Sequence, residues 1–176
     1  MDTQNRKIVP NKVAEIVLSY QPHVKLFEVL KITSSKEAYD VLLENWDESK
    51  LQFVEQFKVM LLNRSNRVLG VVDVSTGGTS GTVADPKIIF AAAVKSNSSG
   101  MILAHNHPSG NRFPSNTDNN LTERMVNLGK LMELPVLDHI IVTSESYYSY
   151  ADEGRAIKAL PIVFVPSYLF LKIIRY

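Results

Sequence analysis

His105-Asn106-His107-Pro108-Ser109-Gly110-Asn111-Arg112-Phe113-Pro114-Ser115-Asn116-Thr117-Asp118 is the most informative stretch of this sequence. It follows an apolar run, Met101-Ile102-Leu103-Ala104, that reads as a buried strand. Side chains alternate along a strand, so two histidines at i and i+2 on extended backbone point to the same side. Pro108 and Gly110 turn the chain at once. A turn of that length swings the start of the next helix, with Asp118, back over the imidazoles. Two neutral histidines and one carboxylate make a three-ligand zinc site with a fourth position open to water, the catalytic rather than the structural pattern. Each piece also has a plainer reading. Pairs of surface histidines are common, and Asn106 to Gly110 could be only a turn. Ser115-x-x-Asp118 is also a capping-box spacing, with Asp in the place of Glu or Gln.

Outward from this stretch, strands and helices alternate. Phe57 to Leu62 and Val68 to Val72 are short apolar runs around the turn-prone Asn63-Arg64-Ser65-Asn66, a hairpin signal. Asp85 at the N-cap and Pro86 after it start a helix that Ser96 to Gly100 stops. Ser115 caps a further helix with Leu121, Met125, Leu128 and Met132 on one face. Ile140-Ile141-Val142 reads as a strand and Tyr147 to Tyr150 as the last one, with tyrosines on both faces of an edge. Upstream, Ser34 and Glu37 stand at capping-box spacing before a helix from Ser35, and Trp46-Asp47-Glu48-Ser49 breaks its pattern. The expected class is α/β (or α+β), with a mixed sheet flanked by helices.

The chain has 176 residues, enough for one domain of ordinary size with short extensions. Its 45% hydrophobic and 21% charged residues exclude a disordered chain, a fibre and a bundle of membrane spans. A formal charge of +1 gives little long-range attraction for nucleic acid or anionic membrane. With no cysteine and four histidines, any metal must be held by His and carboxylates. The lack of cysteine is compatible with a reducing compartment, and Met1 to Lys7 lack the apolar core of a signal peptide, so the expected location is cytoplasmic. Leu160 to Ile174 is strongly apolar but interrupted by Pro161, Pro166 and Lys172, and it is shorter than the roughly 20 residues of a spanning helix. It reads as an extension packed on the domain or on a partner; left exposed, it would favour a homo-oligomer.

The string His105-x-His107-Pro108-x6-Ser115-x2-Asp118 resembles the metal-binding signature of the JAB/MPN (JAMM) metallopeptidases. His105 to Gly110 together with Pro114-Ser115 is similar to their bacterial RadC branch. Glu55-Gln56-Phe57, Asp85-Pro86 and Leu137 to Val142 extend the likeness from about Ser35 to Gly154. It divides the chain into an N-terminal extension (1–33), a RadC-like domain (34–154) and a hydrophobic C-terminal extension (155–176). The resemblance implies the JAB/cytidine-deaminase-like fold with Zn²⁺ on His105, His107 and Asp118. It also implies Ser115 stabilising the oxyanion and an acidic general base from an upstream strand. Glu55 is the choice for the base because it immediately precedes the strand of Phe57 to Leu62, where the family places that residue; Glu44 and Glu48 are the alternatives.

The expected activity is zinc-dependent hydrolysis of a peptide or isopeptide bond in a peptide or protein substrate. The alternative is a non-hydrolytic metal-binding module serving DNA repair or a protein assembly, and a 2-His-1-carboxylate iron site is a third reading. Longer RadC proteins resemble such a domain preceded by a helix-hairpin-helix module. The residues before Ser34 are too few for one, so strong nucleic-acid binding is not expected. Gly77-Gly78-Thr79-Ser80-Gly81 lacks a Gly-Lys-Ser/Thr ending and is read as a connector rather than a P-loop. Asp138-His139 is read as a pair behind the ligands or at the start of a strand, not as a ligand. Lys50, Lys58, Arg64 and Arg67 are read as a solvated hairpin, and His23 as a surface residue.

Overall fold

The computed structural model describes residues 29–79 and 81–155. His23 and the apolar run from Leu160 to Ile174 lie outside the described residues. The elements are α1 (Ser35–Glu44), α2 (Glu48–Leu51), β1 (Gln56–Leu62), β2 (Val68–Thr76), α3 (Pro86–Lys95), β3 (Gly100–Asn106), α4 (Asn116–Leu131), β4 (Val136–Val142) and β5 (Tyr147–Ser149). Among the described residues the strands form one sheet in the order β2-β1-β3-β4-β5. Only β3 and β4 pair in parallel, joined by the crossover helix α4; the other neighbours are antiparallel. The expected mixed α/β architecture is therefore present.

Period-two alternation sorts the strand residues onto two buried faces. Phe57, Val59 and Leu61 of β1, with Met101 and Leu103 of β3, meet Ile89, Phe90 and Ala93 of α3 and Met125 and Val126 of α4. Met60, Leu62, Ile102, Ala104, Ile140 and Val142 point the other way, onto Ala38, Tyr39 and Leu42 of α1, Trp46 and Leu51. A sheet covered on both faces explains why β1 and β3 are buried at every position.

The caps follow the sequence closely. Asp85 accepts the Lys87 N–H and precedes Pro86 at the start of α3. Ser34 accepts the Glu37 N–H, and the Glu37 carboxylate reaches back to the N–H and hydroxyl of Thr33. The segment after Trp46 adds a turn of helix, because Asp47 caps α2 and Leu51 is buried beneath it. Two described residues ahead of Ser34 also join the fold, since Lys31 bridges Arg67 and Ile32 is buried. Lys58 departs from the solvated hairpin that the sequence led us to expect. It is 4% exposed, pairs with Asp73 and lies 5.0 Å from the centroid of the Trp46 ring. At the far edge Tyr147 stacks on Tyr39 while Tyr148 turns to the opposite face beside Phe113, as an edge strand with tyrosines on both faces requires. Among the described residues no helix is long and apolar enough to cross a membrane.

Candidate metal centre

β3 ends at the site. Along it His105 shares a face with Leu103, toward α3 and α4, while Asn106 turns to the opposite face beneath α2. His107 returns to the side of His105, and its ring Nε2 lies 3.0 Å from Nε2 of His105. Gly110, at φ 77°, accommodates the backbone reversal that leads into α4. Asp118 then reaches back over both rings, with Oδ1 3.3 Å from His105 Nε2 and Oδ2 3.6 Å from His107 Nε2. The three candidate ligand atoms lie within 4.8 Å of one another. The expected ligands are thus brought together.

The capping reading of Ser115 and Asp118 is also correct. Ser115 accepts the Asp118 N–H, and Asp118 Oδ2 accepts from both the backbone N–H and the hydroxyl of Ser115, at 2.7 and 2.6 Å. The capping box fixes the carboxylate that faces the histidines, so cap and candidate ligand are one geometry. A consequence for Ser115 is that its hydroxyl hydrogen is directed at Asp118.

The charges fit a cation. Burial opposes ionisation of Asp118, yet the His105 and His107 rings that face it hold its carboxyl far below the usual aspartate range. Burial also opposes a proton on His107, but Asp118 and the Asn111 carbonyl outweigh it and raise its pKa above the usual imidazole value. His107 Nδ1 donates to the Asn111 carbonyl at 2.6 Å, which leaves Nε2 of the neutral ring with a lone pair directed at the other two ligands. A lone-pair nitrogen and a carboxylate meeting a second imidazole nitrogen at such distances form a donor set suited to a divalent metal. Nitrogen and oxygen donors without sulfur suit zinc and also admit iron.

Glu55 and the three candidate ligands line an open cavity of about 530 Å³, with Phe57, Ser115, Phe113 and Leu121 on its walls. Glu55 is held by its backbone. Its N–H donates to the Gly78 carbonyl and its own carbonyl accepts from Gly77, both at 2.8 Å. The glycine segment therefore does more than connect: it pins the Glu55 backbone, and Thr79, Gly81 and Thr82 border the same cavity. A Cβ on Gly77 would stand 2.0 Å from the Gly81 carbonyl oxygen, so a side chain there would displace the segment. Glu44 and Glu48 are not among the residues that line this cavity.

Asn106, which the sequence reading missed, and His139, which it placed behind the ligands or at a strand start, complete the site. The Asn106 amide accepts the Gln56 N–H at 2.7 Å and donates to the carbonyls of Leu51 and Val54 at 2.7 and 2.9 Å, clamping the segment that carries Glu55. A signal for this was available, since an amide on the opposite face of a buried strand must find hydrogen-bond partners. His139 lies in mid-β4, fully buried, with Nε2 2.9 Å from His105 Nδ1. It stands behind the candidate ligands and outside their group.

Residues 32–155 match the RadC-like JAB domain. The chain belongs to the RadC-like JAB family. Among its relatives are the UPF0758 proteins of Flavobacterium johnsoniae, 37% identical over 73% of this chain and 55% of that protein, and of Clostridium acetobutylicum, 36% identical over 74% and 56%. A further UPF0758 protein, from Clostridium beijerinckii, is 34% identical over 81% of this chain and 61% of its own length. The chain thus spans a little over half the length of these curated relatives. The JAB family match covers every element from α1 to β5, and with them the candidate ligands, Glu55 and Ser115.

Proposed function

We propose that this RadC-like JAB domain is a zinc-dependent hydrolase that cleaves a peptide or isopeptide bond. The observation that carries the reading is the convergence of His105, His107 and Asp118 in one cavity with Glu55 on its wall. Zn²⁺ held by the three ligands would supply Lewis acidity and lower the pKa of water to about 7. Glu55 accepts a proton as water attacks the carbonyl carbon and delivers it to the leaving amine, a role that needs a carboxylate near the ligands but not bound among them. The Ser115 hydroxyl turns from Asp118 Oδ2 to the substrate oxygen as negative charge develops there. Its backbone N–H stays on Asp118 and keeps the carboxylate in place. One such donor is worth ~3 kcal/mol in the transition state.

A second reading, a metal-loaded module that does not hydrolyse, draws on one observation: the Ser115 hydroxyl is engaged with Asp118 rather than directed into the cavity. Cleavage of a peptide library separates the two. The hydrolase loses turnover on chelation and regains it with one equivalent of zinc, while the module shows no turnover in either state. Iron restoring activity where zinc does not would reassign the metal.

A further inference from the structure

We propose that His139 and Thr122 are positioning residues that hold the His105 ring in the tautomer able to bind a metal. The inference rests on the metal reading of His105, His107 and Asp118, and it goes beyond the ligand set to the hydrogen bonds behind it.

The chain of contacts starts on one candidate ligand and ends on another. His105 Nδ1 lies 2.9 Å from His139 Nε2, and His139 Nδ1 lies 2.6 Å from Thr122 Oγ1. Thr122 Oγ1 lies 2.6 Å from the backbone carbonyl oxygen of Asp118. That last group fixes the direction of every other bond. A carbonyl oxygen only accepts, so the single hydroxyl hydrogen of Thr122 goes to it. Toward His139 the Thr122 oxygen then accepts, and His139 Nδ1 must carry a hydrogen. The neutral ring leaves a lone pair on His139 Nε2, which accepts from His105 Nδ1–H. His105 Nε2 is therefore left with its lone pair, facing His107 Nε2 and Asp118 Oδ1.

Three features keep the relay in this state. His139 is 0% exposed, so bulk solvent does not reach its ring nitrogens. The ring is stacked on Tyr150 with centroids 5.3 Å apart and tilted against Phe57 at 5.7 Å, so it cannot turn to offer a different nitrogen. Tyr150 is itself tied to α4 through its hydroxyl and Asn119 Oδ1 at 2.9 Å. His107 uses the Asn111 carbonyl for the same purpose. A histidine in that place behind His105 supplies an acceptor without adding a negative charge to the buried side of the site.

The test reads zinc affinity by competition with a chelator, and the His105 tautomer of the metal-free protein by ¹H–¹⁵N correlation through the ring couplings. His139→Leu removes the acceptor; His139→Gln places a side-chain oxygen where Nε2 stood. We expect His139→Leu to weaken zinc binding by roughly 10- to 100-fold, the usual effect of losing the partner of a metal-bound histidine, and His139→Gln to restore most of it. His105 should carry its hydrogen on Nδ1 in the wild type and in His139→Gln, and lose that preference in His139→Leu. Should His139→Leu not fold, Thr122→Val makes the same test from the other end of the relay, with a loss of roughly tenfold and the same change of tautomer. Wild-type zinc affinity and an unchanged tautomer in these variants overturn the proposal and leave the metal reading standing. If the wild type takes up no metal, the metal reading fails by itself. The tautomer then decides alone: a His105 preference lost in His139→Leu or Thr122→Val supports positioning, and an unchanged one overturns it.

Discussion

At the scale of single residues, one carboxylate serves two purposes. Asp118 Oδ2 closes the capping box of α4 while Oδ1 faces His105, so a single rotamer satisfies both helix and site. Asp118→Asn keeps the volume and one acceptor oxygen but loses the charge. It is expected to lose most bound zinc, because two histidines leave too few protein donors for a tight site. Its fold should remain within about 1 kcal/mol of wild type, since Asn can still accept at the cap. Metal analysis with thermal unfolding checks this; normal zinc with lowered stability alone would make the cap its whole role. The spacing Ser115-x-x-Asp118 announces both purposes in the sequence, as alternatives, and the fold makes them one. The sequence left His139 two places, behind the ligands or at a strand start, and nothing local singles out His105 as its partner. That contact depends on β3 and β4 lying side by side, which joins residues far apart in the chain.

At the scale of elements, the site is a meeting of a strand end, a helix start and one clamped segment. The strand end and the helix start were legible from alternation, capping and the Pro108–Gly110 turn. Glu55 was placed at the start of β1 by resemblance, but what holds it there was not legible. It is Asn106, the residue between the two histidines, whose amide bonds three backbone groups at 51–56. Asn106→Ala strands one N–H and two carbonyls. It should destabilise the domain by about 1–3 kcal/mol or more, each unsatisfied buried group costing that order. Turnover should fall further than zinc content, because His105 stays on β3, with His107 directly after it, while the Glu55 segment loses its anchor. Equal loss of both would mean that Asn106 supports the strand rather than the segment. The Lys58 misreading has the same origin. A lysine in a strand reads as solvated until Asp73 and Trp46, brought by other segments, are seen to enclose it.

At the scale of the whole molecule, the sheet covered on both faces was legible from unbroken apolar strands, whereas the parallel β3–β4 pairing came from topology. One buried carboxyl ties that sheet to its surroundings. Asp138 accepts from the N–H groups of His139 and Ala151 and from Ser149, which bonds Ser35 in turn. Burial raises its pKa despite these bonds, so the folded protein binds this proton more tightly than the unfolded chain. Domain stability should therefore fall as pH rises from the ordinary aspartate range through the raised value, and level off above it. Asp138→Asn keeps an oxygen for the two N–H groups and offers an amide hydrogen to Ser149. It should remove that part of the slope in Tm against pH and equal or exceed wild type at neutral pH. A wild-type slope in the variant would assign the effect to another group.

Hydrolysis with Glu55 as the base is the proposal that most needs a test. The most direct measurement is peptide turnover and zinc content of Glu55→Gln, side by side with wild type. Gln keeps nearly the same size and a hydrogen-bonding head but cannot take a proton at neutral pH. Unchanged zinc and unchanged Tm are expected, with kcat lowered by ~10²-fold or more. Equal turnover with equal zinc would contradict the proposal.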